Sequence, residues 1–171
     1  TSGDAYRDLV VGTGEDEVKA GAAVDIKYRV LRLGKRSSDG LSGEASPVFS
    51  FGYGEDEDKE TDVTTIYIGS GSVVPALDDA LRGMKIGGRR RINVRPERGW
   101  KLPDNICLKT YTDVTIVPTT KVQDNDACFS TTRQPTPSNY GAKRRMLRRY
   151  DETLIVDCEV VKINMSAGDG F

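Results

Sequence analysis

Apolar and polar residues alternate most regularly between Val24 and Val30, where Val24, Ile26, Tyr28 and Val30 face one way and Asp25, Lys27 and Arg29 the other. Successive side chains of an extended chain point to opposite faces, so this pattern predicts a half-buried strand with a solvated polar face. Ile66 and Ile68 flank Tyr67 in the same manner, and Gly69-Ser70-Gly71 ends the run. The period then changes. Val74, Leu77 and Leu81 keep the i, i+3, i+7 spacing of one apolar stripe on a short helix. Pro75 suits its first position, Asp78 and Asp79 lie toward the positive end of its dipole, and Gly83 falls just past its last turn. Gly87-Gly88 supplies a turn that needs positive φ, and Ile92 and Val94 alternate with Arg91 and Asn93 in the next strand. Val48-Phe49-Ser50-Phe51 reads as a short edge strand after a Gly-, Ser- and charge-rich loop at 34–46. Leu154, Val156, Cys158 and Val160 share one face of a closing strand. Two-faced strands around one short helix predict an α+β fold with an antiparallel sheet wrapped on the helix. The chain of 171 residues fits a single domain. Its core lies at about 12–100 and 153–164, with an insertion at about 101–152 and a short C-terminal tail.

The insertion is long by loop standards, and such segments usually carry function or partial disorder. Thr112, Val114 and Ile116 alternate well enough for an extra strand stopped by Pro118, whereas Asp124 to Tyr140 is polar and contains Pro135 and Pro137. Lys143, Arg144, Arg145, Arg148 and Arg149 then crowd around Met146-Leu147. That cluster reads as a solvated basic face or as a docking site for a protein. No aromatic residues interleave with it, so nucleic acid is not an expected partner. Glu55, Asp56, Glu57, Asp58, Glu60 and Asp62 form an acidic loop relieved by Lys59. It lacks the alternating ligand order of a calcium loop and reads as a solvated loop or a second docking surface.

Composition narrows the chemistry. Histidine is absent, which removes imidazole bases and imidazole zinc ligands. The three cysteines, Cys107, Cys128 and Cys158, lack metal or redox spacing. Cys158 belongs to a core face, and Cys107 and Cys128 are either two free thiols or a disulfide closing the insertion. Gly69-Ser70-Gly71 has Val74 where a dinucleotide site needs its third glycine, so no cofactor is expected, and no metal. A net charge of −1 gives no global pull toward nucleic acid or anionic lipid. No apolar run approaches the roughly 20 residues of a membrane helix. The chain begins at Thr1, so any targeting peptide lies outside it.

Several of these segments together resemble the FKBP-type peptidyl-prolyl isomerase family. Its signature is matched by Gly69, by Val73-Val74-Pro75-Ala76, by Gly83-Met84-Lys85-Ile86-Gly87-Gly88-Arg89-Arg90 and by Pro96. Val24 to Tyr28 is similar to the family's tyrosine-bearing strand, and Leu154 to Val160 to its closing strand. The resemblance runs from about Gly12 to Ile163 and leaves out the insertion. It implies an FKBP-like twisted antiparallel sheet around one short helix, with the insertion before the last strand. Isomerisation needs neither acid, base nor nucleophile. The barrier of roughly 18–20 kcal/mol comes from amide resonance. An apolar cleft that disfavours the planar amide, with a backbone N–H on the substrate carbonyl, lowers it.

Carried over by position, the resemblance places Tyr28, Phe51 (or Phe49 in the other register), Val73, Val74, Leu77, Trp100 and Val156 at the pocket. The Val74 N–H is the candidate carbonyl donor and Trp100 the residue near the rim. Gly52 or Ser50 stands where the family has an aspartate, Leu77 where active members usually carry tryptophan, Thr64 where phenylalanine is common, and Val156 where another aromatic sits. Aromatic walls grip proline, so these departures imply activity weak or lost. Ser38 to Gly43, Val48 to Asp56 and Gly83 to Ile92 resemble the plastid, thylakoid-lumen branch. That implies a lumenal protein that binds a photosystem or another thylakoid membrane complex. Its docking surfaces would be Glu55, Asp56, Glu57 and Asp58 on one side and Lys143, Arg144, Arg145, Arg148 and Arg149 on the other. A prolyl isomerase acting on lumenal chains is the competing expectation, and a holdase for unfolded segments a third. An oxidising lumen favours a Cys107–Cys128 bridge.

Overall fold

A computed structural model describes residues 5–32, 46–103 and 128–164. The expected strand at 112–116, Cys107, most of the 34–46 loop and the C-terminal tail lie outside these residues. Within them one sheet is built from β1 (Tyr6–Val10), β2 (Ala23–Arg32), β3 (Ser46–Phe51), β4 (Thr64–Tyr67), β5 (Arg89–Val94) and β6 (Leu154–Asn164). The spatial order is β1-β5-β6-β2-β3, and every pairing is antiparallel. β3 and β4 share one side of β2: β4 pairs with Ala23 to Ile26 and β3 with Tyr28 to Arg32. The chain between them therefore leaves the sheet opposite Tyr28, and this is where the acidic loop sits.

The alternation in β2 is met in full, since Val24, Ile26, Tyr28 and Val30 are buried while Asp25, Lys27 and Arg29 are half-buried. Its polar face carries rungs of opposite charge. Arg29 and Arg91 flank Asp157 across β2, β6 and β5, and Lys27 and Arg89 flank Glu159. The Arg91 guanidinium forms two 2.8 Å bonds to the Asp157 carboxylate, the bidentate geometry that makes arginine pairs strong.

Helix α1 (Pro75–Ala80) has proline at its start and is capped by Leu81, whose N–H bonds the Leu77 carbonyl. It buries more than the expected stripe, because Ala76 and Ala80 are small enough to lie against the sheet beside Leu77 and Leu81. Of the Gly87-Gly88 pair, Gly87 takes the positive φ, +84°.

Two elements go beyond the sequence expectation. β1 pairs with β5 and extends the sheet N-terminal to Gly12. Within the insertion, Tyr140–Leu147 is a helix, α2, whose N-terminus is closed by Asn139 accepting from the Ala142 N–H at 2.8 Å. Ala142 and Met146 are buried, and together with Phe129, Tyr150 and Cys128 they belong to the same core as the sheet and α1. The described part of the insertion, 128–152, is thus packed into the domain.

Candidate functional site

The site forms where the turn before α1, the end of β3 and Trp100 converge. Tyr28 and Phe51 are cross-strand partners whose rings stack at 6.4 Å. Phe49 meets Tyr28 edge-on at 5.6 Å and Trp100 at 6.0 Å. Both candidate phenylalanines thus flank Tyr28, and Phe49 is the one that links it to Trp100. Trp100 is fully buried (0% exposed) and not at a rim. Val73, Val74, Leu77 and Val156 are all buried in the same apolar cluster.

Trp100 is buried because the insertion covers it. The Ser130 N–H donates to the Trp100 carbonyl at 2.8 Å, and the Leu102 N–H to the Cys128 carbonyl at 2.8 Å. These bonds lay Cys128 to Ser130 antiparallel beside Trp100 to Leu102. The chain then turns into the site itself. The Val74 N–H donates to the Gln134 carbonyl at 2.8 Å, and the Gln134 N–H donates to the Ser72 carbonyl at 2.7 Å. Gln134 pairs with Val73 in a short parallel bridge. Trp100 Nε1–H donates to the Pro135 carbonyl at 2.8 Å. Pro135 is buried, and the Gln134–Pro135 bond is cis. Arg133 braces the turn by donating to the Gly99 carbonyl at 2.7 Å. Burial first, and then the nearby Arg98 charge, lower its pKa.

Val74 and Trp100 are fully buried, and leaving either N–H unpaired would cost about 1–3 kcal/mol. Gln134 and Pro135 satisfy both. The group that sequence reading assigns to an outside carbonyl is therefore engaged by this chain's own X-Pro pair. Reading the sequence missed this contact, because Asp124 to Tyr140 is largely polar and its partner lies some sixty positions earlier. The signals available were Phe129 standing alone in a polar run and the Gln-Pro pair itself.

The acidic and basic segments are drawn together. Asp58 Oδ2 accepts from the N–H groups of Gly52 at 2.6 Å and of Tyr53 and Gly54 at 3.0 Å, while Oδ1 accepts from Asp56 N–H at 2.7 Å. Burial alone would raise its pKa, but these four backbone donors outweigh it and hold the carboxyl below its ordinary value. Asp56 accepts from Ser50 N–H at 3.0 Å, pairs with Arg145, and gives its carbonyl to Asn139 at 2.9 Å. Arg145 Nε also donates to the Val48 carbonyl at 2.6 Å. Both aspartates lie close enough to Tyr28 to add to the upward shift that burial gives its hydroxyl. Asp56 and Asp58 thus stand near Tyr28 although the sequence has no aspartate directly after Phe49 or Phe51. Glu55 pairs with Arg29 at 2.8 Å, and Arg149 with Glu152 at 2.9 Å. Asp56, Asp58, Arg145 and Arg149 are occupied within the fold. Glu57, Lys143, Arg144 and Arg148 are exposed.

Cys128 is disulfide-bonded and Cys158 is free and buried. Burial, followed by the charges of Glu159 and Asp157, raises the Cys158 thiol pKa, which suits a core residue and not a nucleophile. Among the described residues no group of three or more His, Cys, Asp or Glu is placed to hold a metal ion. Among them, too, no helix is long and apolar enough to cross a membrane.

A family model described as FKBP-type peptidyl-prolyl cis-trans isomerase matches residues 14–106. The chain belongs to this family. Two curated relatives from Arabidopsis thaliana align with nearly the whole of it. Peptidyl-prolyl cis-trans isomerase FKBP19, chloroplastic, is 34% identical over 168 residues, covering 95% of this chain and 54% of the relative. Peptidyl-prolyl cis-trans isomerase FKBP16-1, chloroplastic, is 23% identical over 166 residues, covering 95% and 58%. The chain spans little more than half the length of these relatives. Among solved structures, a peptidyl-prolyl cis-trans isomerase from Pseudomonas syringae pv. tomato overlaps 96% of this chain and 78% of its own, at 14% identity and a TM-score of 0.48. In this FKBP-family chain the turn before α1 is the segment that meets Gln134, and the family match ends at residue 106, short of the part of the insertion that supplies it.

Proposed function

We propose that this chain is a binding or assembly subunit of a photosynthetic membrane complex in the thylakoid lumen, with its prolyl-isomerase site closed to outside substrates. The observation that carries this reading is the 2.8 Å bond from the Val74 N–H to the Gln134 carbonyl. A substrate carbonyl has to compete for that donor with a segment already tethered beside it. The word chloroplastic in both relatives' names supports a plastid, and the lumen rests on the resemblance of the loop and turn segments. Leu77 and Val156 in place of aromatics support binding over turnover. Docking falls to exposed charges outside the ion pairs of the described residues: Glu57 on one side, and Lys143, Arg148 and Arg144, which lies over the Tyr140 ring, on the other.

A second reading, an active prolyl isomerase, is supported by the site's acceptance of an X-Pro pair on Val74 and Trp100. A protease-coupled isomerisation assay on an Ala-Leu-Pro-Phe peptide separates the two, comparing the unaltered chain with Leu77→Trp. Absence of turnover in both is the result expected of a binding subunit, and clear turnover by the unaltered chain establishes the enzyme instead. Pull-down from solubilised thylakoids tests docking. Reversing Lys143, Arg144 and Arg148 to glutamate spares the Arg145–Asp56 pair and is expected to abolish co-purification of the complex; unchanged co-purification counts against this surface.

A further inference from the structure

We propose that Phe129 to Pro135 is an internal ligand of the prolyl site, latched by Asp56 to helix α2, and that a proline-bearing segment from outside enters only by displacing it. The proposal rests on the reading of Val74 and Trp100 as the prolyl site. It goes beyond that reading by naming what occupies the site and what holds the occupant there.

The occupant makes the contacts expected of a bound peptide. Gln134 offers its carbonyl to the Val74 N–H and its own N–H to the Ser72 carbonyl, so its backbone is held from both sides. Pro135 is buried and its carbonyl is fixed by Trp100 Nε1–H. Upstream, the bonds between Ser130 and Trp100 and between Leu102 and Cys128 fix the point of entry. Downstream, Asn139 follows Pro135 by one short turn and starts α2. From there Asn139 Nδ2 grips the Asp56 carbonyl, and Arg145 grips the Asp56 carboxylate and the Val48 carbonyl. Asp56 in turn holds Ser50 N–H, between the two phenylalanines of β3. The strand that supplies the aromatic wall and the helix that follows the occupant are tied through Asp56 and through the Arg145–Val48 bond.

A tethered segment meets its site at an effective concentration of about millimolar or more. The apparent affinity for an outside peptide is the intrinsic affinity multiplied by the fraction of time the site is empty. Loosening the latch raises that fraction without touching the groups that bind the peptide.

Trp100 is the sole tryptophan of the chain and lies in the site, so its fluorescence reports on it. The full chain and its Arg145→Ala, Asn139→Ala, Pro135→Gly and Arg149→Ala variants are each titrated with an Ala-Leu-Pro-Phe peptide, following Trp100 emission and, in parallel, heat by calorimetry. The three variants that weaken the occupant or its latch are expected to bind at least tenfold more tightly than the full chain, with a Trp100 response. Arg149→Ala, whose arginine pairs with Glu152, is expected to behave as the full chain does. Equal affinities in all forms, including binding in none, overturn the internal ligand. Heat without a Trp100 response puts the peptide elsewhere and overturns the reading of the site as well. The pull-down result bears on neither.

Discussion

The Val74 amide and the Gln134 carbonyl, sixty positions apart in the chain, meet at 2.8 Å in the turn that we propose as the prolyl site. The chain closes its own pocket. This is possible because the turn before α1 presents the Ser72 carbonyl and the Val74 N–H to one side, and an extended segment pairs with such an edge as a strand does.

Trp100 ties the occupant to the sheet. Replacing it with phenylalanine keeps the aromatic contact with Phe49 but removes the donor to the buried Pro135 carbonyl. A loss of about 1–3 kcal/mol is expected, measured by urea unfolding followed by circular dichroism. An unchanged midpoint would show that water replaces the indole at no cost.

Removing one side of the Arg91–Asp157 pair should be worse than removing both. Asp157 is 5% exposed, so Arg91→Met leaves a shielded carboxylate with no cation opposite it in β5. That variant is expected to lose about 2 kcal/mol or more. Asp157→Asn combined with Arg91→Met should recover part of the loss, and a double-mutant cycle on thermal midpoints reads the coupling.

Stability should fall on acidification through the carboxyl of Asp58. Its folded-state pKa lies below the unfolded one because four backbone N–H groups bond the charged form. The stabilisation is therefore complete above the ordinary aspartate value of about 3.9 and is lost as pH falls below it toward the folded value. Asp58→Asn should flatten this part of the stability profile. An unaltered acid limb in the variant would assign the loss to other carboxylates.

Gly52→Ala tests the loop geometry that places Asp58. Gly52 has φ of +91°, and a Cβ there would lie 2.6 Å from the Lys27 Cγ and 2.7 Å from the Asp62 carbonyl. The backbone oxygen cannot step aside as a side chain does, so a cost of about 1–3 kcal/mol is expected in thermal unfolding.

How much of this was legible in the sequence depends on whether the controlling contact was local. β2 was legible because its alternation is complete over a strand packed on one face. α1 was legible because proline at its start and glycine past its end are local marks. β1 was not, since four of its five residues are exposed and no alternation between core and solvent is imposed on them. α2 was seen as basic charge alone, although Asn139 at its start and Met146 on its inner face carry the helical signal. Trp100 was found at the site but expected near its rim, because its cover comes from the insertion. The Gln134–Pro135 contact was out of reach, as no spacing rule says which stretch of a polar segment will return to Ser72.

Amide hydrogen exchange at Val74, read by NMR on the full chain and on Pro135→Gly, tests the closed site most directly. In the full chain the Val74 N–H is expected to exchange about two orders of magnitude or more slower than an unstructured amide, and in Pro135→Gly to lose most of that protection while the amides of β2 keep theirs. Exchange of the Val74 N–H at the unprotected rate in the full chain would contradict the account, because the site would then stand open.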